Sequence, residues 1–478
     1  MSAADAIRAA PKTPIRTEAL SDTHRMLAAA PHGQSRRCEK TMVELSYDKT
    51  EIRGLLNRRM RSPVRIAPTY TLAMVAAETL RRMGTRLRAF ATSRKANPVP
   101  RVMAISNVGS FGGGGALDFR DTVVAIREKR PDLEVVAVCP WKGNLAVECA
   151  RHGIATKATF LPGWAFLERL RAPRIEAFIG TVPYLVLFLA GIVRAVLLLV
   201  RLRPTLVLTN TMTIPAHAIA AKLLGIPHYW MIREFGRDDH RLWFLFGYHR
   251  TIRLIGKLSE SAICNSDAVQ KALLAVDPTM TTHVVYPVVD TPLAAPPLRH
   301  PGEPLRVVLV GYFSQAKGQR LAVEAVALAR KAGVDIALTL VGKGSKKPLR
   351  KLARRLGVED LVRIDGPTRE VGRYWSAAHV GLMCSHCEAF GRVTVEAMRA
   401  GLPVCGTDTG GTPEIINPGV NGLLSPAGDA HALAANLMTL ESDEDLRRSL
   451  AFGAAHTAQR FQRDRHDEEL ATVLGLRC

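Results

Sequence analysis

The chain of 478 residues is 47% hydrophobic and carries 65 Lys and Arg against 43 Asp and Glu, a net charge of +22. That length and apolar content fill two or three domain cores. Eight scattered cysteines exclude a disulfide framework and fit a reducing compartment. Residues 1–100 hold 19 basic and 8 acidic side chains, so half of the positive surplus sits in about a fifth of the chain. This asymmetry suggests a basic arm that meets anionic lipid or nucleic acid, against the plainer reading of an Arg- and Ala-rich composition.

The opening MSAADAIRAAPKTPIR lacks an apolar core after its first charges, so it is not read as a secretory signal. The first forty residues are polar, basic and Pro-containing, and are expected to be disordered. Tyr70 to Phe90 reads as a helix with an apolar start and an Arg-rich end, suited to an anionic membrane or to an ordinary surface. Regular alternation starts with the strand Arg101–Asn107. A glycine run, Gly112 to Gly115, and a helix through Lys129 follow. LEVVAVCP is a second strand. Ala177 to Val200 is a long apolar run, just short of the usual span, with Pro183 inside and Arg194 near its end. It reads as a helix packed in the domain or lying in a membrane surface. TLVLTN, PHYWMIRE, SAICNS and HVVYPVVD (His283 to Asp290) complete the strands of this half, separated by helical patterns.

Residues 291–304 hold five prolines and read as a linker. Behind it the alternation restarts with LRVVLVGYF, DIALTLVGKG, LVRIDG and HVGLMCS as strands, each followed by a helical or loop segment. Strands alternating with helices argue parallel, doubly wound sheets. The fold class is therefore α/β with two Rossmann-like domains and a basic N-terminal extension. The divisions fall at 1–98, 99–290, 291–304 and 305–455, with a C-terminal helix at 456–478.

The stretch CEAFGRVTVEAMRAGLPVCGTDTGGTPEII, Cys387 to Ile416, places Glu388 in the loop at a strand's C-terminal end and Glu396 one or two turns into the next helix. In open α/β sheets that loop is where ligands bind, and the helix start is an anion site. Gly391 lets a ligand approach the backbone. Two carboxylates flanking an anion site suit a phosphate with a sugar on either side, because each accepts paired hydrogen bonds from vicinal hydroxyls. Acids also favour first helical turns for purely structural reasons. Lys317, just before a helix, is placed to meet phosphate, though such lysines are commonly solvated. Cys384 and Cys387 form a CxxC at a buried strand end, where core cysteines are usual. The glycine run is not a Walker loop, since no Lys-Ser/Thr follows.

The second half resembles the C-terminal domain of family-4 retaining glycosyltransferases, which have the GT-B architecture. The resemblance rests on VGYFSQAKGQ, LVGKG, VRIDG, EAFGRVTVEAMRAGLPV, GGTPEII and NGLLSPAGD in family order across about 305–455, and more weakly on 101–290. It implies that Glu388 contacts donor-sugar hydroxyls and that Phe390 and Gly391 offer backbone contacts. Glu396 would hold the ribose, and Lys317 would neutralise the diphosphate. Gly311, Gly342, Gly113 and Gly114 complete the expected donor site, with no bound metal. The donor is a UDP- or GDP-sugar, the acceptor a glycan or lipid-linked glycan. Two departures stand out: Tyr312 replaces the usual Arg, leaving Lys343 or Arg392 as substitutes, and Arg233-Glu234 replaces His-Asp. Arg233 and Glu234 are expected to face the cleft and orient substrate, or else to form a structural ion pair. The resemblance thus implies a retaining, metal-independent hexosyltransferase of cell-surface polysaccharide or glycolipid synthesis, cytoplasmic and peripheral at the inner membrane face. The rival reading is a GT-B scaffold that has lost catalysis. A nucleic-acid partner is not expected, since no reader motif accompanies the charge.

Overall fold

In the computed structural model the described residues are 100–167, 174–292, 294–295 and 298–476; the expected N-terminal extension, with its helix at 70–90, lies outside them. In the first half the strands are β1 (Arg101–Ser106), β2 (Glu134–Cys139), β3 (Ala155–Ala158), β4 (Ala165–Leu167), β5 (Leu206–Asn210), β6 (His228–Ile232), β7 (Leu242–Phe244), β8 (Ser261–Cys264) and β9 (Thr282–Val284). In the second they are β10 (Leu305–Val310), β11 (Ile336–Val341), β12 (Val362–Asp365), β13 (Val380–Met383), β14 (Val404–Thr407) and β15 (Gly422–Ser425). The seven-stranded sheet has the order β3-β2-β1-β5-β6-β8-β9, and the six-stranded sheet β12-β11-β10-β13-β14-β15. Every neighbouring pair in both is parallel. The order reverses between β1 and β5 and between β10 and β13, which are the crevices where such sheets bind ligands.

Both sheets are covered on both faces, and their central strands are accordingly apolar, while the edge strands β3, β9 and β12 carry polar residues. Along β1, Met103 and Ile105 enter one core and Val102 and Ala104 the opposite one, as the two-residue pleat requires. Leu305, Val307 and Leu309 of β10 face one core, and Val308 faces the other. The antiparallel pair of β4 and β7 was not expected. Its strands are three residues each and 75 or more positions apart, too short and too distant to leave a periodic signal.

The reading of His283 to Asp290 as a strand is corrected. β9 ends at Val284, because Pro287 has no N–H to give to a ladder. Val288 and Val289 are buried instead, and the Val289 N–H donates to the Phe461 carbonyl at 3.0 Å. There Tyr286, Phe390 and Phe461 form an aromatic cluster with ring centroids 5.3–5.9 Å apart. The chain then returns to the first half: Leu470 and Ala471 of the helix Arg463–Val473, with its C-cap residue Leu474, join the core of Phe119 and Val123.

The apolar run forms one helix, Arg174–Leu202, through Pro183. By length and composition its segment Pro183–Leu202 could cross a membrane. One face, however, carries Phe188, Ile192, Ala195, Val196 and Leu199 into the core beneath Trp164 and Trp230. The other face leaves Val186 61% and Leu197 62% exposed, with Leu187 and Val193 beside them. Residues 186, 190, 193 and 197 recur at helical spacing, so the exposed apolar groups form a stripe.

Candidate active site

The site lies where the C-terminal ends of β10 and β13 meet the glycine run that follows β1. Lys317 ends a 3-10 turn, Gln315–Lys317, and Gly318 follows with φ +67°. A Cβ at Gly318 would stand 1.9 Å from the Cys384 carbonyl oxygen, so only glycine lets this turn lie on the end of β13. The close approach brings the Lys317 Nζ to Glu388, where it donates to Oε2 at 2.5 Å. The Ser385 hydroxyl donates to the same oxygen at 2.8 Å. The structure therefore joins the expected leaving-group cation and the expected sugar-binding carboxylate in one ion pair.

Gly391 adopts φ +94° and caps the helix Arg392–Arg399. The backbone N–H groups of a first helical turn lack intrahelical partners and carry partial positive charge. Glu396 lies on this helix one turn beyond Arg392. Burial raises its pKa above the ordinary carboxylate range, with the Arg392 charge opposing the shift. The Phe390 ring is buried in the aromatic cluster described above, so this residue offers its backbone to the site. Gly311 and Gly342 meet at the ends of β10 and β11, where a Cβ on Gly342 would fall 1.8 Å from the Gly311 carbonyl oxygen. Gly113 caps the helix Gly114–Lys129, and a Cβ on Gly114 would stand 3.5 Å from Arg392 Cδ. The glycine run of the first half and the acidic motif of the second thus face each other. Tyr312 is exposed at the end of β10, and Lys343 is exposed beyond β11.

Arg233 and Glu234 turn inward and do not form a side-chain ion pair with each other. The Arg233 guanidinium is 3.1 Å from Asp118, with side chains only 8% and 6% exposed. It also donates to Asn210 Oδ1 at 2.5 Å and to Thr122 Oγ1 at 3.0 Å. Burial lowers its pKa, against the pull of Asp118. Glu234 accepts hydrogen bonds from the Thr211 hydroxyl at 2.5 Å and the Met212 N–H at 2.8 Å. Burial raises its pKa, against the Thr211 hydrogen bond.

Four further residues escaped the sequence reading. Asp118 and Asp121 lie one helical turn apart behind the glycine run. Arg392 Nη1 donates to Asp118 at 2.5 Å and stands 3.7 Å from Asp121. Arg463 joins Asp121 at 3.3 Å and Asp290 at 2.7 Å. Burial depresses the Arg392 pKa, but Asp118 and Asp121 outweigh it and the net shift is upward. Glu414 of the second half accepts the Asp267 and Ala268 N–H groups at 2.8 and 2.6 Å, capping the helix Asp267–Leu274 of the first. The only local hint was acidic residues three apart just after the glycines. Of the CxxC cysteines, Cys384 is a core residue at a strand end and Cys387 is partly buried; burial pushes both thiols up to about 12.

Two doubly wound parallel domains with facing loop ends define the GT-B architecture. Residues 291–456 match the family model of glycosyl transferases group 1. The chain is similar to D-inositol 3-phosphate glycosyltransferase of Streptomyces bingchenggensis, 39% identical over 136 residues, covering 28% of this chain and 30% of the relative. It is also similar to the amylovoran biosynthesis glycosyltransferase AmsK of Erwinia amylovora, 36% identical over 151 residues, covering 30% of this chain and 37% of the relative. The chain thus spans about a third of the length of these curated relatives. Its fold matches that of Anabaena Alr3699/HepE, solved in complex with UDP and glucose, with a TM-score of 0.62, 22% identity, and coverage of 79% of this chain and 99% of that one.

Proposed function

We propose that this protein is a retaining, metal-independent glycosyltransferase. It moves a hexose-type sugar from a UDP- or GDP-sugar to a glycan or lipid-linked acceptor in cell-surface polysaccharide or glycolipid synthesis. The observation that carries the reading is the Lys317–Glu388 pair beside the glycine-capped start of the helix Arg392–Arg399, with Glu396 one turn along. On donor binding the diphosphate takes over Lys317 and frees Glu388 for the sugar hydroxyls, while Glu396 holds the ribose. The helix start and Lys317 stabilise the negative charge that grows on the leaving diphosphate. The acceptor attacks from the leaving group's own face, and its proton passes to the departing phosphate oxygen. Calorimetry with UDP, GDP, ADP and their sugar conjugates tests this. One nucleotide should bind, and Glu396→Ala should abolish or strongly weaken that binding. No nucleotide bound by the parent chain would favour the scaffold reading, for which Tyr312 and the inward Arg233 speak.

The enzyme works in the cytoplasm as a peripheral protein on the inner membrane face. The stripe of Val186, Leu187, Val193 and Leu197 dips into the leaflet, and exposed Arg194 and Arg201 on the same helix meet anionic headgroups. The helix lies in the interface, since its opposite face is core. Sedimentation with phosphatidylglycerol-containing vesicles should carry the parent down, while Val186→Asp/Leu197→Asp should stay in the supernatant. Equal sedimentation of both would remove the stripe from the interface.

A further inference from the structure

Trp141 is 53% exposed and Phe160 45%, an unusual outlay of aromatic surface beside a ligand cleft. Both lie at the C-terminal edge of the first sheet. Cys139 of β2 pairs with Ala158 of β3, so Trp141 and Phe160 each stand two residues beyond paired positions on adjacent parallel strands. The Thr159 N–H donates to the Cys139 carbonyl at 3.0 Å and keeps the two strand exits together. Trp141 is held against its neighbour: a Cβ at Gly109, in the loop after β1, would stand 2.6 Å from the indole, so the ring lies on bare backbone. The Leu145 N–H donates to the Gly109 carbonyl at 3.1 Å. Asn144 Oδ1 accepts the Phe111 N–H at 2.6 Å, tying the same two loops a second time. An exposed indole fixed in this way loses little entropy when it engages a ligand.

We propose that Trp141, with Phe160 at the next strand exit, is the acceptor-sugar platform: a pyranose ring of the acceptor glycan lays its C–H face on the indole. The negative face of an aromatic ring meets the partly positive axial C–H groups of a sugar, while the sugar's hydroxyls remain free for hydrogen bonds and water. The position suits an acceptor because the loop that carries Gly109 runs on through Gly113 to Gly114, which abuts Arg392 at the donor side of the cleft. The platform thus continues the cleft outward from the donor site along β1, β2 and β3. The assignment rests on the glycosyltransferase reading above. It names the half of the substrate that the donor motif leaves open.

The test uses the full chain on a printed array of pyranoside glycans, with nucleotide calorimetry on the same preparations. The parent should retain at least one glycan. Trp141→Ala should lose roughly tenfold or more of that binding, as expected for truncating a central aromatic anchor, and Trp141→Phe should stay within about threefold of the parent. Nucleotide affinity should not move in either variant, which separates platform from folding. An array with no glycan retained, or glycan binding unchanged in Trp141→Ala, overturns the proposal. So does a loss seen only on phosphatidylcholine vesicles carrying polyprenyl phosphate, which would make the patch a lipid site. If the parent binds a glycan through Trp141 but no nucleotide, the donor reading fails, and Trp141 stands as a glycan-binding residue rather than an acceptor platform.

Discussion

Replacing Lys317 by Ala is expected to lower kcat for sugar transfer by about 10²–10³, the scale of removing one preorganised charge from a developing anion. The expectation follows from the geometry. Lys317 reaches Glu388 at 2.5 Å from a turn that Gly318 alone allows to close against β13. The ammonium is therefore held at the site before a diphosphate arrives, and its exchange of Glu388 for phosphate is completed on binding, ahead of the chemical step. Binding of the bare nucleoside should be unchanged, while the extra affinity that the diphosphate confers should fall. Lys317→Arg should recover part of the rate, because charge is kept but the point geometry is not. Transfer by Lys317→Ala within about threefold of the parent, a change worth less than about 1 kcal/mol, would exclude Lys317 from the leaving-group site.

Asp118→Ala should destabilise the fold by about 3–5 kcal/mol, the usual cost of leaving buried charges without their partner. Asp118 is shared by two guanidinium groups, Arg233 at 3.1 Å and Arg392 at 2.5 Å, and all three side chains are largely buried. Its removal leaves both arginines desolvated, with Asp121 as the nearest remaining carboxylate for Arg392. Asp118→Ala/Arg233→Met should be less destabilised than the single variant, because one of the orphaned charges goes with its partner. Urea unfolding read at the first half's transition measures this. A loss below about 1 kcal/mol for Asp118→Ala would show the pair to be solvated in the manner of a surface salt bridge. The same variant also cuts one of the ties between the two halves, so hydrogen exchange in the helix Arg392–Arg399 should rise with it.

The two parallel sheets, their order along the chain and the placing of Glu388 and Glu396 were legible in the sequence. Each rests on a local pattern: apolar runs of strand length, helical spacing, and glycines at strand ends. What was not legible depends on partners far apart in the chain. Arg233 reads as a cleft residue until Asp118, 115 positions earlier, is seen to meet it. Arg392 was noted as a substitute cation, but its attachment to Asp118 joins residues 274 positions apart. Trp141 carried no signal, since its ring is positioned by a contact with Gly109 across two loops. The β4–β7 pair and the early end of β9 were hidden for a similar reason: backbone pairing, not composition, decides them.

The helix Arg463–Val473 has a consequence for synthesis. Its Leu470, with Leu474 just past its end, joins the core of Phe119 and Val123, so the first half needs residues made after the whole second half. Between β9 and this helix lies the whole second half. At roughly 5–20 residues per second, a ribosome takes on the order of ten to a few tens of seconds to cross that distance. Throughout that interval the nascent first half holds an apolar face with no cover. Its packing is completed only when the second half has been threaded through the exit tunnel, so the two halves are finished in the reverse of the order in which they are begun.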